Sequence, residues 1–340
     1  MEDRLGGTSE LGLWLCRTTG ATNPRKALAD RCAELIAALG DRHPPTRVGP
    51  LGQLLGLEPG PRVRPQIPRG MLDLTSGQTY LRSFRPIRPE GSLDLETGVI
   101  SVQDRADQFR PLTFGERARM RFTCAHEIGH ALFYNFNTRP ARRSAPLGPR
   151  LEEERFCDYA ARHFLLPAAW IEPEFAAHHR PSLALLRACA ARYIVSLRVA
   201  AARAAEWFAP RLAANDFYLL SRVTTNAAGG GVKKPRCLGV FLSNRLRSEG
   251  VSFLRGYQGL AGVKRVGVRV HDWSLNELHA GLCRKQPGLQ SGPHVEILRC
   301  PDGSIVNLTS THFRLGCTTT VWTEGRIEVV ANPTRFRRAA

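Results

Sequence analysis

The sequence predicts a mixed α+β protein with more than one domain, mainly helical over its first two thirds. Its 340 residues exceed what a single hydrophobic core usually organises. Before residue 210, apolar residues recur at helical spacing in several segments. Beyond the glycine tract 229–231 the pattern changes to short strand-like runs, which indicates a separate α+β domain.

The composition excludes several classes of protein. Hydrophobic residues make up 43% and charged residues 23%, which excludes a disordered chain, a collagen-like repeat and a coiled-coil rod. No apolar run reaches the roughly 18 residues of a membrane span, and the acidic start at Glu2 and Asp3 is unlike a secretory signal. Nine cysteines without a C-x-x-C pair predict reduced thiols. We therefore expect a cytoplasmic protein without a membrane partner.

The net charge is strongly positive and concentrated towards the C-terminus. Of the total of +18, residues 201–340 contribute +11, from 20 Lys+Arg against 9 Asp+Glu. Such a field attracts nucleic acid or an acidic partner. A solvated basic surface explains the same charge, so nucleic acid stays an open partner of the C-terminal half.

The first part of the chain is predicted to alternate helices with a small sheet. Residues 1–24 have little periodicity and are expected to form a loose arm. Asn23 and Pro24 begin a helix that Gly40 ends, and a short helix is expected over 51–55. Strand-like stretches follow at 79–84, 91–95 and 99–102.

Two longer helices follow the small sheet, over about 114–134 and from near Leu151 to just before Pro167. Residues 178–212 contain a further helical pair, and 213–340 form the C-terminal α+β domain. Its strand-like segments are 237–242, 266–270, 294–298, 304–308, 318–323 and 327–330.

The strongest chemical signal is the H-E-x-x-H pattern at His126, Glu127 and His130. Histidines four positions apart lie on one face of a helix, about one turn apart, so both imidazoles can bind one zinc ion. The carboxylate of Glu127 lies beside the first ligand and can act as a general base. Two buried structural histidines are the alternative, but the apolar flanks of the motif favour a metal site.

A catalytic zinc ion needs a third protein ligand and an open fourth position. Four carboxylates on the next helix are candidates, and their spacing does not choose between them. They are Glu152, Glu153, Glu154 and Asp158.

The stretch RFTCAHEIGHALFY, with ERFCDYAARHFLLP further along, resembles the ImmA/IrrE family of metallopeptidases. That family has an R-F-T-x-A-H-E-x-x-H core and a later helix of the form E-x-x-[AC]-[ND]-x-x-A. The resemblance covers about residues 25–210 and implies a zincin-like metallopeptidase domain over 25–177. It also implies that Glu154 is the third metal ligand, that Asp158 supports the site, and that zinc, or alternatively manganese, is the cofactor.

The resemblance extends to the small sheet, whose last strand lies beside the cleft in this type of fold. We therefore expect that strand to bind a substrate backbone by strand addition, although an ordinary buried strand explains the same pattern. The residues concerned are Gly98, Val99, Ile100, Ser101 and Val102.

The segment 178–212 resembles the family's helix-turn-helix-like unit, in which Ser196 caps the second helix. Ile194 occupies the turn position where a DNA-binding motif usually has glycine. This favours a packing or partner-docking role over DNA reading. Cys124 and Cys157 flank the metal motifs; burial as small apolar residues is favoured over a redox switch.

Together these features predict a zinc-dependent endopeptidase that cuts a protein. In the family that the chain resembles, the substrate is a helix-turn-helix transcriptional repressor, cut in a stress or mobile-element response. The C-terminal domain is then regulatory or recruits the substrate. The alternative is a non-proteolytic DNA-binding or sensor protein with a structural metal site, which has no use for the carboxylate of Glu127.

Overall fold

The computed structural model describes residues 9–41, 43–59, 62–65, 91–104, 111–222, 236–244, 294–299, 305–314 and 320–331. Over these residues the protein has the mixed α+β architecture that the sequence predicts, with helices dominating before residue 212 and strands after it. The predicted strands at 79–84 and 266–270 lie outside the described residues. No helix of the described part is long and apolar enough to cross a bilayer.

Most helices begin and end close to where the sequence predicts. Asn23 caps α2 through its side chain, and Gly40 ends that helix in the left-handed conformation that glycine favours. The predicted helix over 114–134 ends earlier, because Tyr134 belongs to a short strand. The helices are α1 Glu10–Thr19, α2 Pro24–Leu39, α3 Val48–Gln53, α4 Phe114–Ala131, α5 Arg150–Leu165, α6 Ala168–Ala176, α7 Leu183–Tyr193 and α8 Leu197–Phe208.

The predicted loose arm over residues 1–24 is wrong for its described part, which forms α1. Ser9 caps this helix, and Leu11 and Leu15 are buried. The ring of Trp14 lies 6.2 Å from that of Phe133. The two buried leucines, four residues apart, give α1 an apolar face, which explains why it packs instead of remaining loose.

A small three-stranded sheet lies beside α4. It consists of β1 Arg62–Pro65, β2 Gly91–Leu93 and β3 Ile100–Asp104, in the order β1-β3-β2. β3 pairs with β1 in parallel and with β2 in antiparallel register. A two-stranded hairpin, β4 Tyr134–Asn135 and β5 Arg142–Arg143, then connects the end of α4 towards α5.

The C-terminal part contains a five-stranded antiparallel sheet. Its strands are β6 Asp216–Arg222, β7 Arg236–Leu242, β8 His294–Arg299, β9 Ile305–Arg314 and β10 Thr320–Ala331. In space they follow the order β7-β6-β10-β9-β8. Trp322 stacks on Tyr218 at 5.7 Å and meets Phe241 edge-on at 5.6 Å, which forms an aromatic core on this sheet.

Two strand predictions in this region need correction. The segments 318–323 and 327–330 form one strand, β10, because residues 324–326 continue the ladder with β6 and β9. Gly325 permits this, since a Cβ there would overlap the ring of Phe217. β6 was not predicted at all, although its run of apolar residues follows the last helix directly.

The chain divides into two compact units. One contains Met1–Glu174 and Ala188–Ser196; the other contains Phe175–Arg187 and Leu197–Ala340. The helical pair over 178–212 is therefore shared between the units. The predicted boundaries at 177 and 212 remain predictions.

Helix α8 packs within the second unit against β7. Its buried residues are Val199, Ala200, Ala201, Arg203, Ala204 and Phe208. A helix buried over so much of its surface has little left to present to a DNA groove, which supports the packing role.

Candidate metal centre

Helix α4 carries the H-E-x-x-H motif and begins at a capping box. The Thr113 hydroxyl accepts from the backbone N–H of Glu116, and the Glu116 carboxylate accepts from the backbone N–H of Thr113 at 2.8 Å. From this start the helix runs without interruption through His126 and His130. Their rings lie edge to face with centroids 5.0 Å apart, as their four-residue spacing predicts.

Helix α5 packs very closely against α4 because one motif residue is glycine. A Cβ at Gly129 would lie 2.9 Å from the Cα of Cys157 and 3.1 Å from its carbonyl oxygen. Real side chains do not tolerate such distances to a backbone, so only glycine permits this approach. The close approach brings the acidic first half of α5 to the two imidazoles.

Glu154 lies on the Nε2 side of both rings. Its Oε2 is 3.1 Å from Nε2 of His126, and its Oε1 is 3.8 Å from Nε2 of His130. The side chain is 39% exposed, so this side of the rings is open to solvent. Three ligand atoms and solvent access are what a catalytic metal site requires.

Two other carboxylates bind the opposite nitrogen of each ring. Oδ1 of Asp158 is 3.0 Å from Nδ1 of His126, and Oε1 of Glu153 is 3.1 Å from Nδ1 of His130. An ionised carboxylate only accepts, so Asp158 and Glu153 favour a proton on Nδ1 of each ring. Nε2 of His126 then offers its lone pair to a metal ion where that ion replaces the 3.1 Å contact with Glu154. Burial alone lowers the pKa of His126, but the hydrogen bond and charge of Asp158, together with the charges of Glu127 and Glu154, outweigh it and raise this pKa.

Glu153 is part of a longer network that the sequence did not predict. Its Oε2 accepts from Nη2 of Arg143 at 2.6 Å, and Nη1 of Arg143 donates to the Tyr134 hydroxyl at 2.9 Å. The hydrogen bond from His130 and the guanidinium of Arg143 lower the pKa of Glu153 to about 2. The only sequence signal was three consecutive acids at the start of α5.

Glu127 is buried, at 8% exposure, between the motif helix and β2. Burial raises the pKa of its carboxyl, and the neighbouring imidazoles partly oppose this. The backbone N–H of Leu93 donates to the carboxylate. A Cβ at Gly91 would overlap Cγ2 of Thr123 and lie 2.8 Å from Oε1 of Glu127. Gly91 therefore lets β2 approach the base, a role that sequence reasoning missed.

The donor set fits a divalent metal ion such as zinc. Ligand atoms placed tetrahedrally about 2.0–2.1 Å from one ion lie about 3.3 Å apart. The 3.1 Å from Oε2 of Glu154 to Nε2 of His126 and the 3.8 Å from its Oε1 to Nε2 of His130 lie on either side of that value, through the two oxygens of one carboxylate. Two neutral imidazoles and one carboxylate are also the ligand types of catalytic zinc.

Cys157 offers a competing third ligand. Ligand atoms of His126, His130 and Cys157 lie within 4.8 Å of one another, so distance alone permits a His-His-Cys set. The thiol is fully buried, and burial raises its pKa well above the usual value, whereas metals bind the thiolate. We favour Glu154, because it is already on the open Nε2 side and needs no buried thiolate.

The strand predicted to bind substrate has no free edge where it is regular. Ile100, Ser101 and Val102 pair with β2 on one side, and Ser101 and Val102 also pair with β1 on the other. Gly98 and Val99 belong to the turn before the strand, where the Gly98 N–H donates to Asp94. Strand addition at Gly98, Val99, Ile100, Ser101 and Val102 is therefore not supported, because a central strand has no backbone groups left to pair.

Cys124 lies two residues before the motif, and its burial disfavours a redox role. It is 6% exposed, and burial raises its pKa to about 12. A thiol with such a pKa carries almost no thiolate at neutral pH and reacts slowly. This agrees with the expectation that Cys124 and Cys157 are small buried core residues.

Comparison with known proteins agrees with the motif. The family model described as the IrrE N-terminal-like domain, Peptidase_M78, matches residues 116–205. A Mycobacterium tuberculosis transcriptional regulator of known structure is 11% identical, with 88% of this chain and 87% of that chain covered and a TM-score of 0.37. At that score the two folds are not established as alike. Among curated proteins none matches the chain.

The matched segment contains most of α4, all of α5, α6 and α7 and most of α8, and hence both histidines and all four candidate carboxylates. The predicted resemblance to the ImmA/IrrE family of metallopeptidases is confirmed over residues 116–205, the segment that the family model matches.

Proposed function

We propose that this protein is a zinc-dependent endopeptidase, with His126, His130 and Glu154 as metal ligands and Glu127 as the general base. The observation that carries the proposal is the convergence of Glu154 on the Nε2 side of both imidazoles, at 3.1 Å and 3.8 Å. A purely structural site has no need of the buried carboxylate of Glu127 beside it. Asp158 orients His126 through Nδ1.

A zinc ion held by His126, His130 and Glu154 would supply Lewis-acid chemistry at the site, lowering the pKa of water and polarising the scissile carbonyl. Glu127 takes the proton from the attacking water and returns it to the leaving amine. The raised pKa of this carboxyl suits the first step, because a stronger base accepts the proton more readily. The Leu93 N–H holds the carboxylate in place while the proton moves.

We propose that the substrate backbone binds along β2 instead of β3. The Asp94 N–H donates to the Val99 carbonyl, so residues 92 and 94 face β3 and residues 91 and 93 face away from it. Among the described strands, β2 pairs only with β3, so Gly91 and the carbonyl of Leu93 lie on an edge without a strand partner. That edge also contacts Glu127 through Leu93, and a peptide added there runs past the base.

The proposed substrate is a helix-turn-helix transcriptional repressor, cut in a stress or mobile-element response, as the family resemblance implies. The C-terminal sheet is proposed to regulate the enzyme or to recruit this substrate.

The test compares the wild type with Glu127→Gln, each loaded with zinc, on the repressor encoded beside the gene. We expect the wild type to cut it and Glu127→Gln to lose about 10²–10⁴-fold in rate, because it lacks the general base. Both proteins should bind zinc equally, since Glu127 is not a ligand. Equal cutting by both, or none by the zinc-loaded wild type on this or any offered repressor, contradicts the proposal.

A further inference from the structure

His130, the second histidine of the motif, is held by hydrogen bonds to which the proposed function assigns no role. His130 lies in the last turn of α4, which ends at Ala131, where a helix holds its side chains least firmly. Its Nδ1 lies 3.1 Å from Oε1 of Glu153. The other oxygen of Glu153 accepts from Nη2 of Arg143 at 2.6 Å.

Arg143 is itself fixed by the hairpin to which it belongs. Nε donates to the carbonyl of Ala145 at 3.1 Å, and Nη2 donates to that of Pro146 at 3.2 Å. Nη1 donates to the hydroxyl of Tyr134 at 2.9 Å, and the guanidinium lies over the same ring at 5.2 Å. Every nitrogen of the guanidinium therefore has a partner, which leaves the group little freedom to move.

The two imidazoles are supported differently. Asp158, which bonds His126, is 50% exposed, whereas Glu153, which bonds His130, is only 14% exposed. A carboxylate shielded from water and tied to a fixed arginine orients its partner more strictly than an exposed one does.

We propose that Glu153 and Arg143 act as positioning residues for His130, with Arg143 acting through Glu153. This inference rests on the proposed function and deepens it. Glu153 accepts a hydrogen bond from the Nδ1–H of His130 and so leaves Nε2 free for the metal ion. Arg143 holds Glu153 in the orientation that does this. The β4–β5 hairpin thereby joins the end of α4 to the start of α5 at the site.

The test measures zinc affinity by competition with a chelator and the absorption spectrum of the cobalt-loaded protein. Glu153→Ala should weaken zinc binding by about 10–100-fold, as loss of a partner behind a metal-binding histidine commonly does. Arg143→Gln should weaken it by a smaller factor and alter the cobalt spectrum in the same sense. Arg142→Gln is the matched control: the same residue type, next in sequence but exposed, and expected to bind zinc like the wild type.

A double variant tests whether Arg143 works through Glu153. If it does, Glu153→Ala with Arg143→Gln should bind zinc no more weakly than Glu153→Ala alone. If the two losses multiply, Arg143 acts independently and that part of the inference is overturned. Thermal unfolding of each metal-free variant separates a local effect from loss of fold. If Glu153→Ala does not fold, Glu153→Gln, which keeps an acceptor oxygen, replaces it and should show an intermediate loss.

Failure of this inference is distinguishable from failure of the proposed function. If the wild type binds zinc and the folded Glu153 variants bind it with the same affinity and cobalt spectrum, the inference is overturned and the peptidase proposal stands. If the wild type binds neither zinc nor cobalt, both are overturned.

Discussion

Helices α5 and α8 are both largely buried, but their charged side chains have different partners. In α5, Glu153, Glu154 and Asp158 each lie within 3.1 Å of an imidazole nitrogen on α4. In α8, the buried cation Arg203 pairs with Glu206 one turn further along the same helix, and the other buried residues are apolar.

This difference separates a site from a packing element. In α5, the carboxylates reach histidines on another helix, and the two Nε2 atoms and the carboxylate of Glu154 lie close together as possible metal ligands. In α8 the ion pair of Arg203 lies within the helix, and small residues such as Ala200 and Ala204 permit close packing. The family match covers most of both helices, so only the contacts distinguish their roles.

The largest expected effect tests the packing role of α8. Phe208 is 1% exposed and its ring lies 5.4 Å from that of Phe175. Phe208→Ala should lower the free energy of unfolding by about 3–5 kcal/mol in chemical denaturation. It should leave zinc affinity unchanged in the folded protein. Arg198→Ala, at an exposed position of the same helix, is the control and should change stability by less than about 0.5 kcal/mol. If Phe208→Ala lowers the free energy of unfolding by much less than this, the packing role of α8 is contradicted.

The next effect decides which residue of α5 completes the metal site. Glu154→Ala should weaken zinc binding by at least about 100-fold, or about 2.7 kcal/mol, because losing a ligand costs more than losing an outer partner. Cys157→Ala should change it only a few-fold. Equilibrium dialysis or chelator competition measures both variants. The reverse ranking establishes the His-His-Cys set and removes Glu154 from the ligands.

A smaller effect tests the close approach of α4 and α5. Gly129→Ala places a methyl group 2.9 Å from the Cα of Cys157, so the helices must separate. We expect a loss of about 1–3 kcal/mol in the free energy of unfolding, the usual cost of overpacking. Gly115→Ala in the first turn of α4 meets nothing within 4 Å and should be neutral or stabilising by up to about 1 kcal/mol. Equal effects of the two substitutions show that the interface is not close-packed.

The smallest effect concerns the turn before α8, where Ile194 has a φ of 50°. This left-handed conformation costs an ordinary residue about 1–2 kcal/mol, and glycine much less. Ile194→Gly should therefore be more stable to denaturant than Ile194→Ala by about 1 kcal/mol. At the exposed position 191 of α7 the order should reverse, with Ala191→Gly about 1 kcal/mol less stable than the wild type. If glycine is more stable than alanine at both positions, or less stable at both, the interpretation of Ile194 as a strained residue is contradicted.

Much of the helical architecture was predictable because its signals are local. Asn23 and Gly40 mark the ends of α2 through capping preferences that act within a few residues. The loose arm was the main error in the helical part, since the contact of α1 with Phe133 involves residues far apart in sequence. The merging of two strand segments into β10 had a similar cause: only pairing with β6 and β9 shows that residues 324–326 remain extended.

For the site, the sequence alone established that His126 and His130 share a helix face with Glu127 beside them, because helical periodicity is a property of neighbouring residues. It did not decide between the carboxylates of α5, and the choice of Glu154 came from resemblance. Only the tertiary structure decided that Glu153 lies behind the ring of His130, that Arg143 reaches Glu153 from a hairpin, and that among the described strands β2 pairs with β3 alone. These depend on how closely two helices and a strand approach, which Gly129 and Gly91 permit but no local pattern encodes.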